Sequence, residues 1–501
     1  MWQYRNVPIM DEVEALRDYR PGGFAPLSIG DILNGRFEIN QKLGYGGNAI
    51  VWLCWELATK KWKAVKINAA GSSLPDCGEK KAMRLMKRKK ISVQELEANH
   101  IGMGLETFWE KTPNGRHFCT VLPVFGPPAH DWRTEELKLD VERVKNICYQ
   151  MTKGLSFLHS HGLCHGDFRP QNVLMKLKPG CLDHLTKDAM FKLLGQPDVA
   201  EMLTLSGKPS KHAPRFVVTT APWQRLREYV MDEAVIVDFG EAYTTDDPST
   251  HFGIPKRYAA PEVLFERGQA VPAGDLWSLG ITLLELRLDE YEPNAAYSVI
   301  RRMERFVGSL PIGYRYAAKG LLKKDGWVER SDDADDIVDS HGHLRPLTGP
   351  VEVPLSDEEE REFSGATFTD RLEMKLAAEQ LAWIEVLDPR DPARKRMRPT
   401  LVPYYLTEEE VRDFADLLRN LLRYDAKDRI SASRVLRHKW FKNQHPIGFF
   451  RRWRYVCIAG LSLVVLLCLY WLWNNWPSYS GLRPTRWVDT CVVTVLYLAL
   501  D

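Results

Sequence analysis

The sequence HGDFRPQN at residues 165–172 narrows the fold and the chemistry of this chain more than any other stretch. It follows a helical pattern of apolar residues over 139–162 and precedes a short β-type run. On one rigid loop, Asp167 can accept the proton of a hydroxyl nucleophile and Asn172 can bind Mg²⁺. Arg169 can neutralise a phosphoryl group in transfer. The stretch alone therefore predicts phosphotransfer, and it leaves open whether the acceptor is a protein or a small molecule.

A glycine-rich run, KLGYGGNAIVWL, occupies residues 42–53 between two strand-like patterns. Glycines such as Gly44 and Gly46 let the backbone approach phosphate oxygens with no side chain in the way. Val51 on the following strand would then cover an adenine ring. Because glycine turns are also common in plain β-hairpins, this run depends on its neighbours for its meaning.

The most informative neighbour is Lys66, which ends the run Ala64-Val65-Lys66 on a strand otherwise suited to burial. A buried lysine needs anionic partners, and the α- and β-phosphates of a nucleotide can supply them. The segment 77–90 is rich in helix formers, and Glu79 within it is the carboxylate best placed to orient the lysine.

Further along, the apolar run VIV at 235–237 ends in Asp238, which is followed by Phe-Gly and offers a carboxylate to Mg²⁺. Three supporting residues follow in order: Glu262 after Ala-Pro, then Asp275, and Arg429 far downstream. We expect Glu262 to form a buried ion pair with Arg429. We expect Asp275 to accept hydrogen bonds from the backbone of the HGDFRPQN loop.

The motifs lie in a two-part pattern that predicts an α+β, bilobal fold, because short β-type runs come first and helical periodicity dominates afterwards. We expect a β-rich N-lobe over 37–126 and a helical C-lobe over 127–445, after an N-terminal extension of residues 1–36. Two polar stretches, at about 176–232 and about 323–400, interrupt the C-lobe as inserts. The β-type runs of the N-lobe are 37–44, 49–57, 61–69 and 117–126.

In this order, the motifs resemble those of the eukaryotic protein kinases over about residues 37–445. Within that family the chain resembles the SR-protein kinases (SRPK), particularly their fungal relatives, through YRPGG at 19–23, IGD at 29–31, RF at 36–37 and the glycine-rich run. The resemblance implies a serine/threonine protein kinase that uses ATP and Mg²⁺. It also implies protein substrates rich in Arg-Ser dipeptides, and a role in mRNA processing through splicing factors.

Carried over residue by residue, the resemblance assigns three groups of side chains. Asp167, Arg169 and Lys66 would be the catalytic residues, and Asn172 and Asp238 would bind the metal ion. The residues that would bind ATP are Leu43, Gly44, Gly46, Val51, Ala64, Lys66, Glu79 and Val124.

The chain departs from the family pattern at four positions near these residues. Gly166 stands where an arginine usually pairs with a phosphorylated activation segment, so we expect activity without that phosphorylation. Arg169 replaces the usual lysine and keeps its charge. Ala49 replaces the third glycine of the loop, and Pro123 removes one backbone donor from the hinge. None of these changes removes an essential group.

Charge patterns give conflicting indications about substrates. The loop GIPKRY at 253–258 is unusually basic, which argues against a preference for arginine-rich peptides. Acidic runs at 331–336 and 357–361 could dock basic peptides, although solvated loop charges are the favoured explanation.

Two other functions fit part of the sequence. Small-molecule phosphotransferases of the aminoglycoside or choline kinase type share His-Gly-Asp with an asparagine five residues after the aspartate, but Glu262, Asp275 and Arg429 favour a platform for protein substrates. A membrane-tethered pseudokinase scaffold would keep the fold without activity. The presence of both Lys66 and Asp238 argues against that second alternative.

The C-terminal region differs from the rest of the chain. Residues 455–473, YVCIAGLSLVVLLCLYWLW, contain no charge and are long enough to cross a bilayer as a helix. Because Arg451, Arg452 and Arg454 precede them, we expect a transmembrane helix with the kinase domain in the cytosol and a short tail at 474–501. The alternative is a buried core helix in a cytoplasmic or nuclear protein. The formal net charge of +2 gives no reason to expect direct nucleic acid binding.

Overall fold

A computed structural model gives the architecture of the chain. The chain divides into two units, Met1–Trp440 and Phe441–Asp501, and the elements below belong to the first. The residues that the structure describes are 4–133, 140–248, 253–266, 272–288, 296–324, 380–388, 391–402 and 407–442.

Several predicted features lie outside the described residues. They are the transmembrane segment 455–473, the tail 474–501 and the acidic runs at 331–336 and 357–361. Among the residues that are described, no helix has both the length and the apolar character that crossing a membrane requires.

The N-lobe is built on a six-stranded antiparallel sheet with the strand order β1-β2-β3-β4-β6-β5. Two helices follow β4, and Ser92 caps the second of them through a hydrogen bond from the Glu95 amide. The elements are β1 (Ile32–Leu33), β2 (Phe37–Tyr45), β3 (Ala49–Glu56), β4 (Lys61–Asn68), α1 (Gly78–Arg88), α2 (Val93–Ala98), β5 (Glu106–Thr112) and β6 (Gly115–Leu122).

The described residues after Leu122 contain most of the helices, together with four two-stranded sheets. A π-helix at Glu262–Glu266 lies between β12 and α6. The elements are α3 (Ala129–Trp132), α4 (Val141–Ser160), β7 (Leu163–Cys164), β8 (Val173–Leu177), α5 (Lys187–Leu194), β9 (Val199–Glu201), β10 (Phe216–Val218), β11 (Val230–Ile236), β12 (Tyr243–Thr244), α6 (Pro272–Leu288), α7 (Ala296–Val307), α8 (Ile312–Lys324), β13 (Gln380–Asp388), β14 (Asp391–Val402), α9 (Glu408–Leu421) and α10 (Ala432–Val435).

The predicted strands of the N-lobe agree with the structure except at three places, of which the first is the two-residue edge strand β1, which was not predicted. The runs at 37–44, 49–57 and 61–69 match β2, β3 and β4 within one residue at each end. The run at 117–126 overlaps β6 but extends too far, because the strand ends at Leu122, directly before Pro123. The sequence analysis did not predict β5, which forms the far edge of the sheet.

The outer face of the sheet carries a core that the N-terminal extension and the first insert build together. Residues of the extension, such as Leu16, Tyr19 and Phe24, are almost fully buried against strand residues. Met202 and Val217, from the insert between β8 and β11, belong to the same cluster. The extension and the insert therefore fold as parts of the N-lobe.

The insert also packs on the inner face of the sheet. Met190 and Leu194 of α5 are buried against Leu53 and Trp62, and the Trp62 indole donates a hydrogen bond of 2.9 Å to the Leu185 carbonyl. Since the insert leaves the C-lobe after β8 and returns at β11, these contacts connect the two lobes outside the hinge.

In the C-lobe, two strand pairs frame the HGDFRPQN loop. Helix α4 begins at its capping residue Asp140, buries its apolar side and ends at Ser160, directly before β7. Strands β7 and β12 pair on one side of the loop, and β8 pairs with β11 on the other. The two segments that carry Asp167 and Asp238 are thereby held side by side.

Candidate active site

Lys66 lies between two carboxylates at the centre of the cleft. The lysine, on β4, donates to Glu79 of α1 and, over 2.8 Å, to Asp238 after β11. The second oxygen of Glu79 accepts a hydrogen bond of 2.9 Å from Asn68. Because α1 begins at Gly78, Glu79 lies in the first helical turn, where the helix dipole favours an anion. The predicted pairing of Lys66 with Glu79 is confirmed.

The charges of this triad reinforce one another. Burial lowers the pKa of Lys66, but Asp238 and Glu79 outweigh that effect and raise the pKa well above its usual value. Partial desolvation raises the pKa of Asp238, and the lysine overcomes it, so that the pKa falls to about 2. The Asp238 side chain is 41% exposed and remains accessible from the cleft. It therefore stays an open carboxylate, which is the ligand type that Mg²⁺ prefers.

Asp167 lies on the loop between β7 and β8, near enough to Asp238 for their charges to interact. Its Oδ2 atom accepts hydrogen bonds from Arg169 at 3.1 Å and from Asn172 at 2.8 Å. Its Oδ1 atom is buried and has no hydrogen-bond partner among the described residues. A buried carboxylate oxygen without a donor is costly, so the site suits a hydroxyl group that would donate to it.

Burial also sets the basicity of Asp167. It raises the pKa of the carboxyl above the usual value, whereas the positive charge of Arg169 acts in the opposite direction. A carboxylate with a raised pKa is a better proton acceptor than an exposed aspartate, so the environment suits a general base.

Asp275 of α6 fixes the loop that carries Asp167 through hydrogen bonds with the loop backbone. The Asp275 carboxylate accepts hydrogen bonds from the backbone amides of His165, at 2.8 Å, and Gly166, at 3.0 Å. His159 at the end of α4 contacts it at 2.9 Å. Burial raises the pKa of Asp275, but these hydrogen bonds and charges outweigh burial and lower it. The predicted role of Asp275 is confirmed.

Glycine is the only residue type that fits position 166 without strain. Its φ of +78° lies in the left-handed region, and a Cβ atom there would come within 2.2 Å of the Glu241 carbonyl oxygen. The backbone that follows Asp238 therefore occupies the space that any side chain at residue 166 would need. Close packing of this loop thus requires glycine at residue 166 in place of the usual arginine.

The activation segment runs from Asp238 to Glu262. Its end is anchored by the predicted pair of Glu262 and Arg429, which is confirmed. The two side chains meet through two parallel hydrogen bonds of 2.7 and 2.6 Å, and both are buried. Arg429 also donates to the Ala273 carbonyl and lies over the ring of Trp277. A bidentate, fully desolvated pair of this kind is strongly destabilised when either partner is removed.

Gly44, Val51 and Ala64, which are also predicted to bind the nucleotide, lie on β2, β3 and β4 of the sheet that carries Lys66. Gly44 pairs with Val51 and Val51 with Lys66, so the glycine-rich turn and the lysine lie on adjacent strands. The amide of Gly46 donates to the Ala49 carbonyl at 2.9 Å, which closes the turn. The structure brings these residues together, and their roles in ATP binding stay predictions.

Leu43 and Val124 have neighbours that the sequence did not reveal. Both pack against the apolar cluster built by α5 and the surrounding insert, whose buried members include Leu182 and Leu226. The spacing between motifs indicates the insert, but no motif indicates where it packs. Only the apolar residues at three- and four-residue steps in α5 give a signal.

Part of the chain is similar to known proteins. Residues 37–187 match the protein kinase domain family. SRSF protein kinase 3 of Sus scrofa is 30% identical over 213 residues, which cover 40% of this chain and 38% of the relative. Protein kinase dsk1 of Schizosaccharomyces pombe is 30% identical over 180 residues, or 35% of this chain and 33% of the relative.

A third relative is similar to the same extent. Serine/threonine-protein kinase SKY1 of Saccharomyces cerevisiae is 32% identical over 171 residues, which cover 33% of this chain and 23% of the relative. The chain thus spans well under half the length of each of these relatives. The resemblance to the SR-protein kinases that the motifs predict is confirmed.

Proposed function

We propose that this chain, which carries a protein kinase domain similar to that of the SRSF protein kinases, transfers the γ-phosphate of ATP to serine or threonine hydroxyls of proteins. One observation carries the proposal: Oδ1 of Asp167 is buried without a hydrogen-bond partner among the described residues, while Lys66 is already paired with Glu79 and with Asp238. A proton acceptor and an assembled phosphate-binding lysine are the two parts that this reaction needs.

The chain's own residues divide the work. Oδ1 of Asp167 accepts the proton of the substrate hydroxyl and aims its oxygen at the phosphorus, and Arg169 stabilises the charge that develops. Lys66 holds the phosphates, while Leu43, Val51, Ala64 and Val124 enclose the adenine and Gly44 and Gly46 cover the phosphates. Asn172 and Asp238 would hold Mg²⁺, which neutralises phosphate charge when bound.

Protein substrates fit better than a small molecule. Glu262 and Arg429 fix the segment that precedes α6, and Tyr258 within that segment donates a hydrogen bond to the buried Glu285. Such anchoring presents an ordered surface for an extended peptide next to Asp167. One relative is named SRSF protein kinase 3, so we propose Arg-Ser-rich splicing factors as substrates of this chain too.

The central test is phosphotransfer by the full chain with radiolabelled ATP and Mg²⁺. We expect label on an Arg-Ser peptide and none on choline, and loss of transfer when the metal is chelated. Asp167→Ala should lower the rate by about 10²–10⁴-fold, the usual contribution of a general base. The control Asp183→Ala changes an exposed aspartate of the insert and should leave the rate unchanged. Equal rates for Asp167→Ala and the parent would refute the proposal, and label on choline alone would favour the small-molecule alternative.

Arg169 provides a test through pH. The carboxyl of Asp167 must be ionised to accept a proton, so kcat/KM should fall as pH drops through its pKa, which burial raises and Arg169 lowers. Arg169→Met removes the opposing charge, so the acid limb of the profile should move to higher pH. The measurement is kcat/KM from about pH 4 to pH 8. Lys192→Met, an exposed site on α5, is the control, and an unmoved acid limb in Arg169→Met would contradict the assignment of Asp167 as base.

We propose further that the activation segment needs no phosphate. Gly166 leaves no side chain to bind one, and the segment is tied down by protein groups instead. The Gly253 amide donates to the Glu241 side chain at 3.0 Å, and Lys81 of α1 contacts Asp247 at 2.6 Å. These contacts join the start of the segment to its middle and to the helix that carries Glu79.

Phosphatase treatment tests this point. The purified enzyme should keep its full rate on the Arg-Ser peptide after all phosphate has been removed, as verified by mass spectrometry. A kinase with a known phosphate-dependent activation segment serves as the positive control for the treatment. Loss of activity that returns after rephosphorylation of the segment would show that the protein contacts are insufficient.

For localisation, we propose that residues 455–473 anchor the protein in a membrane and leave the kinase domain in the cytosol. The support is the uncharged stretch itself and the arginines that precede it. Full-length protein should stay in the pellet after carbonate extraction of membranes, and a chain truncated after residue 450 should be released. Release of the full-length protein would rule out a spanning helix.

A further inference from the structure

Lys42 is a buried cation at the root of the glycine-rich loop. It lies on β2, one residue before Leu43 and two before Gly44, and its side chain is 1% exposed. Burial lowers the pKa of this lysine, and the charge of Glu14 acts against that shift. A lysine is seldom so deeply buried unless its charge is matched.

The partners come from three separate parts of the chain. Glu14 of the N-terminal extension, itself 1% exposed, accepts a hydrogen bond of 2.5 Å from the ammonium group. The carbonyl of Val218 in the insert accepts a second one, of 2.7 Å. The third partner is the ring of Trp52 on β3, whose centroid lies 5.4 Å from the ammonium nitrogen.

Glu14 and the main chain of Lys42 are themselves held in place. The hydroxyl of Tyr19 donates to the other oxygen of Glu14, so the carboxylate is satisfied on both sides. The Ala221 amide donates to the backbone carbonyl of Lys42 at 2.7 Å, so the insert is also hydrogen-bonded to the main chain of β2. The lysine is thus fixed in position and direction at the point where the strand enters the loop.

We propose that Glu14 and Lys42 are positioning residues for the nucleotide, because their ion pair sets the height and register of the strand from which the glycine-rich loop extends. The extension and the insert are then obligatory parts of the nucleotide site. This inference rests on the proposed kinase function. It goes beyond that function because neither residue is among those that the sequence assigns to catalysis, the nucleotide or the metal ion.

An ion pair suits this task better than apolar contacts would. Apolar packing is non-directional and tolerates sliding, whereas a hydrogen-bonded charge pair holds one geometry. Removing one partner of a buried pair leaves an uncompensated charge, but replacing both with apolar residues is often neutral for stability. That asymmetry separates a stabilising role from a positioning role.

The test compares Glu14→Leu, Lys42→Met and the double variant with the parent chain. Arg36→Met is the matched control, since it removes the ion pairs with Glu56 and Glu106 directly before the other end of β2. The measurements are the melting temperature, the kinetic constants with ATP, and hydrogen exchange of the amides at 43–49 without nucleotide. Tyr19→Phe, which removes one hydrogen bond to Glu14, is a milder variant in case a single substitution fails to fold.

We expect each single substitution to raise the KM for ATP about tenfold or more, with kcat changed much less. The double variant should regain the melting temperature of the parent, yet keep the raised KM and exchange its loop amides faster. Tyr19→Phe should show a smaller rise in KM, and Arg36→Met none. A double variant that regains both KM and slow exchange would overturn the inference, as would an unchanged KM in Glu14→Leu. If the parent itself binds no ATP, the proposed kinase function fails, and the exchange rates alone still decide whether the pair positions the loop.

Discussion

The buried charge of Lys66 is the constraint around which the site is arranged. A lysine at the centre of a sheet must be matched, and its two carboxylates come from elements far apart in sequence, helix α1 and the segment after β11. Both must be in place together. The close seating of α1 is visible at Gly78, where an added Cβ would lie 2.4 Å from the Gly240 carbonyl oxygen. A glycine at the helix start therefore lets Glu79 reach the lysine while the helix touches the segment that carries Asp238.

The sheet that supports Lys66 is covered on both faces by chain outside the motifs. The N-terminal extension and the β9–β10 hairpin cover one face, and α5 with its flanking residues packs on the other. Because the insert leaves from and returns to strands of the C-lobe, its contacts with the N-lobe limit how far the lobes can separate. The position of the glycine-rich loop relative to Asp167 is thus set by packing outside the hinge, as well as by the hinge itself.

The sequence predicted the groups that have few possible partners once they are buried. The residues of HGDFRPQN, the lysine on β4 and the pair of Glu262 with Arg429 follow from spacing and charge, because such groups have few alternatives once buried. Strand β5 escaped notice because its alternation is weak and it forms an edge. The pairing of Lys42 with Glu14 was not predicted, since Lys42 lies between Gln41 and Leu43 and lacks the apolar neighbours on both sides that mark Lys66 as buried. The same holds for the insert, whose polar composition hides the few apolar residues that build a core.

The basic loop at 253–258 shows how a count of charges can mislead. From sequence alone, its lysine and arginine argue against arginine-rich substrates. In the structure the Arg257 side chain is 7% exposed and lies over the ring of Tyr258, and its backbone carbonyl accepts a hydrogen bond from Arg302. Tyr258 in turn donates to Glu285, whose second oxygen is buried and has no hydrogen-bond partner among the described residues. The arginine thus contributes to the packing of the loop, and of its two basic side chains only Lys256 is partly exposed to an approaching peptide. Direct contact between a basic peptide and a basic side chain of this loop is therefore limited to Lys256, while the buried charge still adds to the local potential.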